Sequence, residues 1–272
     1  ARMNLLGDGV IIERGETKYR SVIFKILEKY RPQYIFHLAA LPLAKLDNLN
    51  SEEAMEGSVI STTNILDTIA LLSNKEKFVK RFVYASSSMV YGDWQEDVAQ
   101  EDNHPTNPKE IYGTMKLAGE AITRGLGTFH DIDYSIVRPS AVYGPTDMNR
   151  RVSQIFLDKA RRGEKLTIQG EDEALDFTYV KDIANGFVLA ATSDKGSKNT
   201  FNITSGKAQK LVDYAKILKE FYPDLSYEVV PRDQFRPKRG TLSIEKAKKL
   251  LNYKPNYSLY EGIKETINFY KK

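Results

Sequence analysis

Arg81-Phe82-Val83-Tyr84-Ala85-Ser86-Ser87-Ser88-Met89-Val90-Tyr91-Gly92 is the stretch whose reading decides the fold. An apolar strand, Arg81 to Ala85, runs into consecutive serines, and the strand end is where open parallel sheets place their chemistry. Further along, Tyr112-Gly113-Thr114-Met115-Lys116 sets a phenol and an ammonium four residues apart, on one face of a helix. A tyrosine titrates near pH 10, so it serves as a base at neutral pH only if a nearby cation favours its charged form. Lys116 can be that cation. Lowering the phenol by two units takes roughly 2.7 kcal/mol of differential interaction, within the reach of one partly desolvated ammonium. The bare pattern is weak, because Tyr260-Glu261-Gly262-Ile263-Lys264 repeats it in a charged segment with no serine-bearing strand before it. Only the first copy follows such a strand.

Composition bounds the answer. A chain of 272 residues with 41% hydrophobic residues can bury a sizeable core. No apolar run reaches the roughly 18 residues of a membrane span, and the start, Ala1-Arg2-Met3-Asn4, lacks signal-peptide architecture. The expectation is a cytoplasmic protein that does not enter a membrane. With no cysteine, and His37, His104 and His130 as its only histidines, the chain is expected to hold no metal. The net charge of +4 is mild and scattered, and the densest basic run, Arg232 to Arg239, is short. Nucleic acid is therefore not an expected partner.

Periodicity predicts strands at Gly9 to Ile12, Tyr34 to Leu38, Arg81 to Ala85, Tyr134 to Arg138, Leu166 to Ile168, Thr200 to Ile203 and Tyr227 to Val229. It predicts helices at Lys18 to Tyr30, Ser51 to Leu72, Ile111 to Phe129, Val152 to Arg162, Val180 to Ala191, Leu211 to Phe221, Ile244 to Leu250 and Leu259 to Tyr270. That alternation reads as an α/β fold, a doubly wound parallel sheet covered by helices on both faces. Near Gly144-Pro145 the elements become shorter and more mixed. The expected division is 1–145 with 176–204 as one lobe and 146–175 with 205–272 as a smaller α/β lobe, with ligand held in the cleft between them.

Four ordered blocks carry a resemblance: His37-Leu38-Ala39-Ala40; Ser87 with Tyr112 and Lys116; Arg138-Pro139-Ser140-Ala141-Val142-Tyr143-Gly144-Pro145; and Asp176-Phe177-Thr178-Tyr179-Val180-Lys181-Asp182. From about Gly15 onward the chain resembles the extended short-chain dehydrogenase/reductase family, nearest to nucleotide-sugar epimerases of the UDP-glucose 4-epimerase type. The resemblance implies a Rossmann-like domain that binds NAD and a smaller lobe that binds a nucleotide sugar, a UDP-sugar above others. Tyr112 would then be the general base, Lys116 would tune it and hold the nicotinamide ribose, and Ser87 would hydrogen-bond the reacting sugar oxygen. Ala85, Ser86, Leu38, Ala39, Ala40, Ser58 and Pro139 would line the cofactor, with Glu16 and Thr17 at its adenine. Ala141, Val152, Thr167 and Gln169 would face the substrate, and Arg236 would clamp the diphosphate, which its planar fork suits. Family members often pair as homodimers through two helices, here the ones from Ser51 and Ile111.

The chain also departs from the pattern. Nothing before Gly15 reads Gly-x-x-Gly-x-x-Gly, and the βαβ unit around that loop needs about 30 residues that this chain does not have. The expectation is a chain truncated at its start. Leu175 stands where many members carry arginine, while Ala141 and Ser58 stand where asparagine is usual. The implied reaction is removal of a hydroxyl proton by Tyr112 with hydride transfer to NAD, giving a 4-keto sugar that turns over and is reduced on its other face. A 4,6-dehydratase is the main rival; it needs carboxylates at the places that Ser88 and Met89 occupy. A 4-ketoreductase, a decarboxylase, which the resemblance disfavours because Met89 stands where it needs glutamate, and a silent dinucleotide sensor are the others.

Overall fold

The computed structural model describes residues 6–40, 51–74, 76–149, 151–234 and 236–271. Among them Tyr34–His37, Arg81–Ala85, Tyr134–Pro139 and Asn199–Ile203 form one four-stranded sheet in that spatial order. Every pairing is parallel, with Ala85 opposite Val137 and Pro139 opposite Ile203. The C-terminal ends of all four strands therefore share one rim, and Ser86 and Ser87 sit on it.

Side chains alternate across a strand, and here both directions end in apolar cores. Phe82, Tyr84 and Ile136 point into one core with Ile23, Leu27, Ile65, Leu66 and Ile69. Val83, Ala85 and Val137 point into another, with Ile183, Phe187, Phe201 and Ile203. Two filled faces make the doubly wound α/β architecture that the alternation of elements predicts. A further core gathers Leu166, Ile168, Phe177, Tyr179, Tyr214 and Ile263, under the helices Val152–Arg161, Leu211–Phe221 and Leu259–Lys271. Asp176 fastens this region to the sheet: its buried carboxylate accepts from Thr204 Oγ1 at 3.0 Å, Ser205 N at 3.0 Å and Leu242 N at 3.2 Å.

Two sequence expectations need correction. Gly9 to Ile12 is not a strand: it pairs with no neighbour among the described residues, and Val10, Ile11 and Ile12 are exposed. β-Branched residues suit a pleated surface, but only a partner ladder makes them one. The predicted helix from Ser51 to Leu72 is interrupted. It runs as Ser51–Met55, a turn of wider π type over Glu56–Ile60, and Ser61–Ser73. The hydroxyls of Ser61, Thr62 and Thr63 donate back to the carbonyls of Glu56 (2.7 Å), Ser58 (2.5 Å) and Val59 (3.0 Å). Such back-bonding competes with the regular helical ladder exactly where the ladder loosens.

That turn also fixes a buried histidine. His37, 3% exposed at the end of the first strand, lies 3.1 Å from Thr62 Oγ1 through Nε2. Because the single Thr62 proton goes to Ser58 O, Nε2 must carry the proton that bridges to Thr62. Burial, reinforced by the nearby Lys116 charge, pushes the imidazole down to about 3, so it stays neutral.

The helix Ile111–Phe129 comes unusually close to the sheet. A Cβ on Gly119 would stand 2.1 Å from Tyr84 Oη, and one on Gly113 would stand 2.6 Å from Met89 O. Gly119→Ala gains about 1 kcal/mol of helix propensity but overpacks a buried ring at a cost of about 1–3 kcal/mol. We expect a net loss of about 1 kcal/mol, read as a lower urea midpoint at constant slope; an unchanged midpoint would refute the close-packing account. For His37 the folded chain refuses a proton that the unfolded chain binds. Stability is then flat above the unfolded pKa near 6.5 and falls as pH drops toward 3. His37→Gln should flatten that acid slope by up to about 1.4 kcal/mol per pH unit, measured by denaturant unfolding across the window.

Candidate active site

The site is built where one helix grips the end of one strand. Glu110 starts the helix: its carboxylate accepts Tyr112 N and Gly113 N, each at 2.9 Å, satisfying amides that a helix N-terminus leaves unpaired. Tyr112, Lys116, Glu120 and Arg124 then follow at four-residue steps on a single face. Lys116 Nζ donates to Ala85 O at 2.6 Å, and Ser86 Oγ donates to Glu120 at 2.5 Å. Ser87, the third residue in the row, accepts Met89 N at 3.2 Å, and its hydroxyl acts on the Tyr112 phenol. The Lys116 ammonium stands 5.8 Å from the centroid of the Tyr112 ring and 5.3 Å from that of Tyr84.

Tyr112 is half-buried, Ser87 is buried and Lys116 is 3% exposed. Burial has opposite effects on the two partners. It pushes the Lys116 ammonium down to about 8 and pushes the Tyr112 phenol up from its ordinary value. Arg151 and the Ser87 hydroxyl pull the phenol back, while Glu110 adds to the upward shift. Lys116 is placed as the sequence suggests, but burial dominates the phenol and Arg151 is the cation that acts on it most. Arg151 donates to Val142 O at 3.3 Å and lines a hollow of about 240 Å³ with Tyr143, Gly144, Thr146 and Asp147.

Of the residues expected at the cofactor, Ala85, Ser86 and Pro139 lie on the strand-end rim together with the turn of Leu38, Ala39 and Ala40. Leu38 is 61% exposed there, an apolar side chain open to a ligand. Ser58 is buried inside the wide turn, where its carbonyl serves Thr62. Thr17 Oγ1 donates to Ser61 Oγ at 2.7 Å, which ties the Glu16–Thr17 pair to the same helix, and Glu16 itself is exposed.

Of the residues expected at the substrate, Ala141 has φ of 32°, a left-handed conformation that costs a residue with a Cβ and recurs at functional sites. Val152 is half-buried and packs on the third core, and Thr167 and Gln169 stand on the outward face of Leu166–Gln169. Arg236 is exposed and bonds Asp233 at 3.2 Å. Arg239, three residues on, turns inward instead. Its Nη1 lies 3.8 Å from Met89 Sδ, its Nε is buried without a partner, and burial lowers its pKa to about 10. Sequence reading also passes over Glu110, Glu120 and Arg151; the four-residue spacing from Tyr112 through Lys116 would have pointed to Glu120.

The profile of the NAD dependent epimerase/dehydratase family matches residues 3–204. Over 257 residues the chain is 29% identical to the UDP-glucuronate 4-epimerase of Thermodesulfobacterium geofontis, an alignment covering 90% of this chain and 75% of that protein. It is 29% identical over 220 residues to UDP-glucuronic acid decarboxylase 1 of Xenopus tropicalis, covering 77% of this chain and about half, 51%, of that protein. The fold matches the Thermotoga maritima UDP-glucose 4-epimerase, solved with UDP-glucose, with a TM-score of 0.87 at 25% identity over 98% of this chain and 86% of that one. The parallel sheet, the serine-bearing strand end and the Tyr112–Lys116 helix are thus accounted for together: the chain belongs to the NAD-dependent epimerase/dehydratase family.

Proposed function

We propose that the protein is an NAD-dependent epimerase of a nucleotide-diphosphate sugar, a UDP-sugar above others, acting at C4 through a 4-keto sugar. The observation that carries this reading is the convergence of Tyr112, Ser87 and Lys116 on one strand end. The residues there suit the ribose and nicotinamide end of a dinucleotide: Lys116 bonds one acceptor, Ala85 O, and keeps two further N–H groups, and the adjoining rim of Leu38, Ala39, Ala40 and Pro139 is largely apolar. Among the described residues no glycine-rich turn opens a helix, so no residue is assigned to the pyrophosphate. When bound, NAD supplies the means of taking and returning a hydride.

Tyr112 removes the hydroxyl proton of the sugar and later returns it. Its raised pKa makes the ligand-bound state decisive, since water expelled by ligand leaves Lys116 and Arg151 to act on the phenol at close range. Ser87 donates a hydrogen bond to the sugar oxygen as charge develops on it. Arg239 is the arginine we place on the diphosphate, because its orphan Nε is a buried donor awaiting an acceptor. The ligand would lie between 1–145 with 176–204 and 146–175 with 205–272. Buried Ser88 and Met89 favour epimerisation over 4,6-dehydration, because neither can carry the extra proton transfers.

The test is interconversion of UDP-galactose and UDP-glucose, and of their uronates, followed by NMR with NAD present. Absence of any interconversion would sink the proposal. Tyr112→Phe should lower kcat by about a thousandfold or more while sparing NAD affinity, since it removes only the proton carrier. Arg239→Ala should raise KM by about 10- to 100-fold, and Arg236→Ala by less than about twofold. Equal effects of the two arginine substitutions would return the clamp to Arg236.

A further inference from the structure

Behind the reacting groups lies a buried charge cluster that no step above uses. Glu120 is fully buried and its carboxylate receives Ser86 Oγ at 2.5 Å, Arg138 Nε at 2.8 Å, Arg138 Nη2 at 2.7 Å and Arg124 Nη2 at 2.8 Å. Arg138, 3% exposed, continues the network to Tyr91 Oη at 2.9 Å, and Tyr91 donates to Asn202 at 2.8 Å. One carboxylate so fully engaged by two guanidinium groups has no charge left for a neighbour. Lys116 precedes Glu120 by one helical turn, yet its ammonium donates to a backbone carbonyl, and it pairs with no carboxylate among the described residues.

The same cluster has a mechanical side. Ala85, Ser86 and Ser87 are consecutive; the helix holds the first two through Lys116 and Glu120, and the third acts on Tyr112. Releasing Ser86 frees the middle of that row. We propose that Glu120, held by Arg138, is the positioning residue of this site: it fixes Ser86, and so the seat of Ser87 against Tyr112, and with its charge cancelled it leaves the Lys116 ammonium without a counter-ion. The proposal rests on Tyr112 and Lys116 being the reacting pair.

The groups facing Lys116 set the expected signs. The Tyr84 and Tyr112 rings lie against its ammonium and neutral His37 feels its charge, with the Thr62 hydroxyl bonded to that imidazole; Glu120 follows one helical turn on, carrying Arg138 and Arg124, and burial lowers the ammonium. Glu110 and Arg151 act on the adjoining phenol. Glu120→Gln keeps an acceptor for Ser86 but leaves two guanidinium charges uncompensated, which disfavours a protonated Lys116. Arg138→Met leaves Arg124 alone against Glu120, one positive charge fewer than in the parent, and does the reverse.

Lysine labelled with ¹³C at Cε, with the Lys116 signal assigned by its loss in Lys116→Met, reads the titration in the ligand-free protein. Lys116 should titrate near 8 in the parent. It should move down by about half to one unit in Glu120→Gln and up by about as much in Arg138→Met. Arg124→Met, at a half-exposed position, should give a smaller upward shift and serves if Arg138→Met does not fold. With NAD and a nucleotide sugar, the pH profile of kcat/KM should move in the same directions. Ser86→Ala should lower kcat by about tenfold without moving that profile. Identical Lys116 titrations in all variants, or shifts of one sign, would overturn the proposal. Because the titration needs neither cofactor nor turnover, it gives an answer even for a protein that epimerises nothing.

Discussion

Everything at the rim depends on how near one helix can lie to one strand. Backbone-to-backbone approach is set by what projects between the elements, and Gly113 and Gly119 project nothing toward Met89 O and the Tyr84 ring. That closeness lets Lys116, with its long stem, fold back onto Ala85 O, and lets the shorter Glu120 reach Ser86. A helix displaced outward by one methyl would still be amphipathic and would still bury its face. It would no longer hold three successive strand-end residues in register with its own turns.

The electrostatics follow from the same burial. Removing water penalises the charged form of every group, so Lys116 and His37 both fall and Tyr112 rises. For the phenol, burial outweighs the opposing pull of Arg151 and the Ser87 hydroxyl. Glu120 and Arg138 escape the penalty because a bidentate pair with further donors replaces the hydration that each charge has lost.

Much of this was legible in the sequence, and the reasons are local. Ile111–Phe129 and Leu211–Phe221 are read to the residue, because the apolar spacing sits inside the segment itself. The strand Arg81–Ala85 and the serines after it are likewise self-evident. The misses turn on contacts that the apolar pattern does not encode. Val10 to Ile12 carry strand-like side chains but find no ladder, and the wide turn at Glu56–Ile60 owes its shape to three hydroxyls bonding backward. Arg236 and Arg239 flank the same Pro-Lys step, and which one faces inward is decided by how the chain passes Met89. The sign of the Tyr112 shift belongs to burial, which spacing does not encode.

The wide turn has one more consequence. A helix advances about 100° per residue, so accommodating a surplus residue in a single loop of the spiral rotates everything upstream of it by about that angle relative to everything downstream. Ser51–Met55 and Ser61–Ser73, on either side of that turn, therefore differ in angular phase. A heptad or 3.6-residue template threaded through both halves would therefore align one and misassign the other, and sequence alignments across this element should tolerate a one-position offset at Glu56–Ile60.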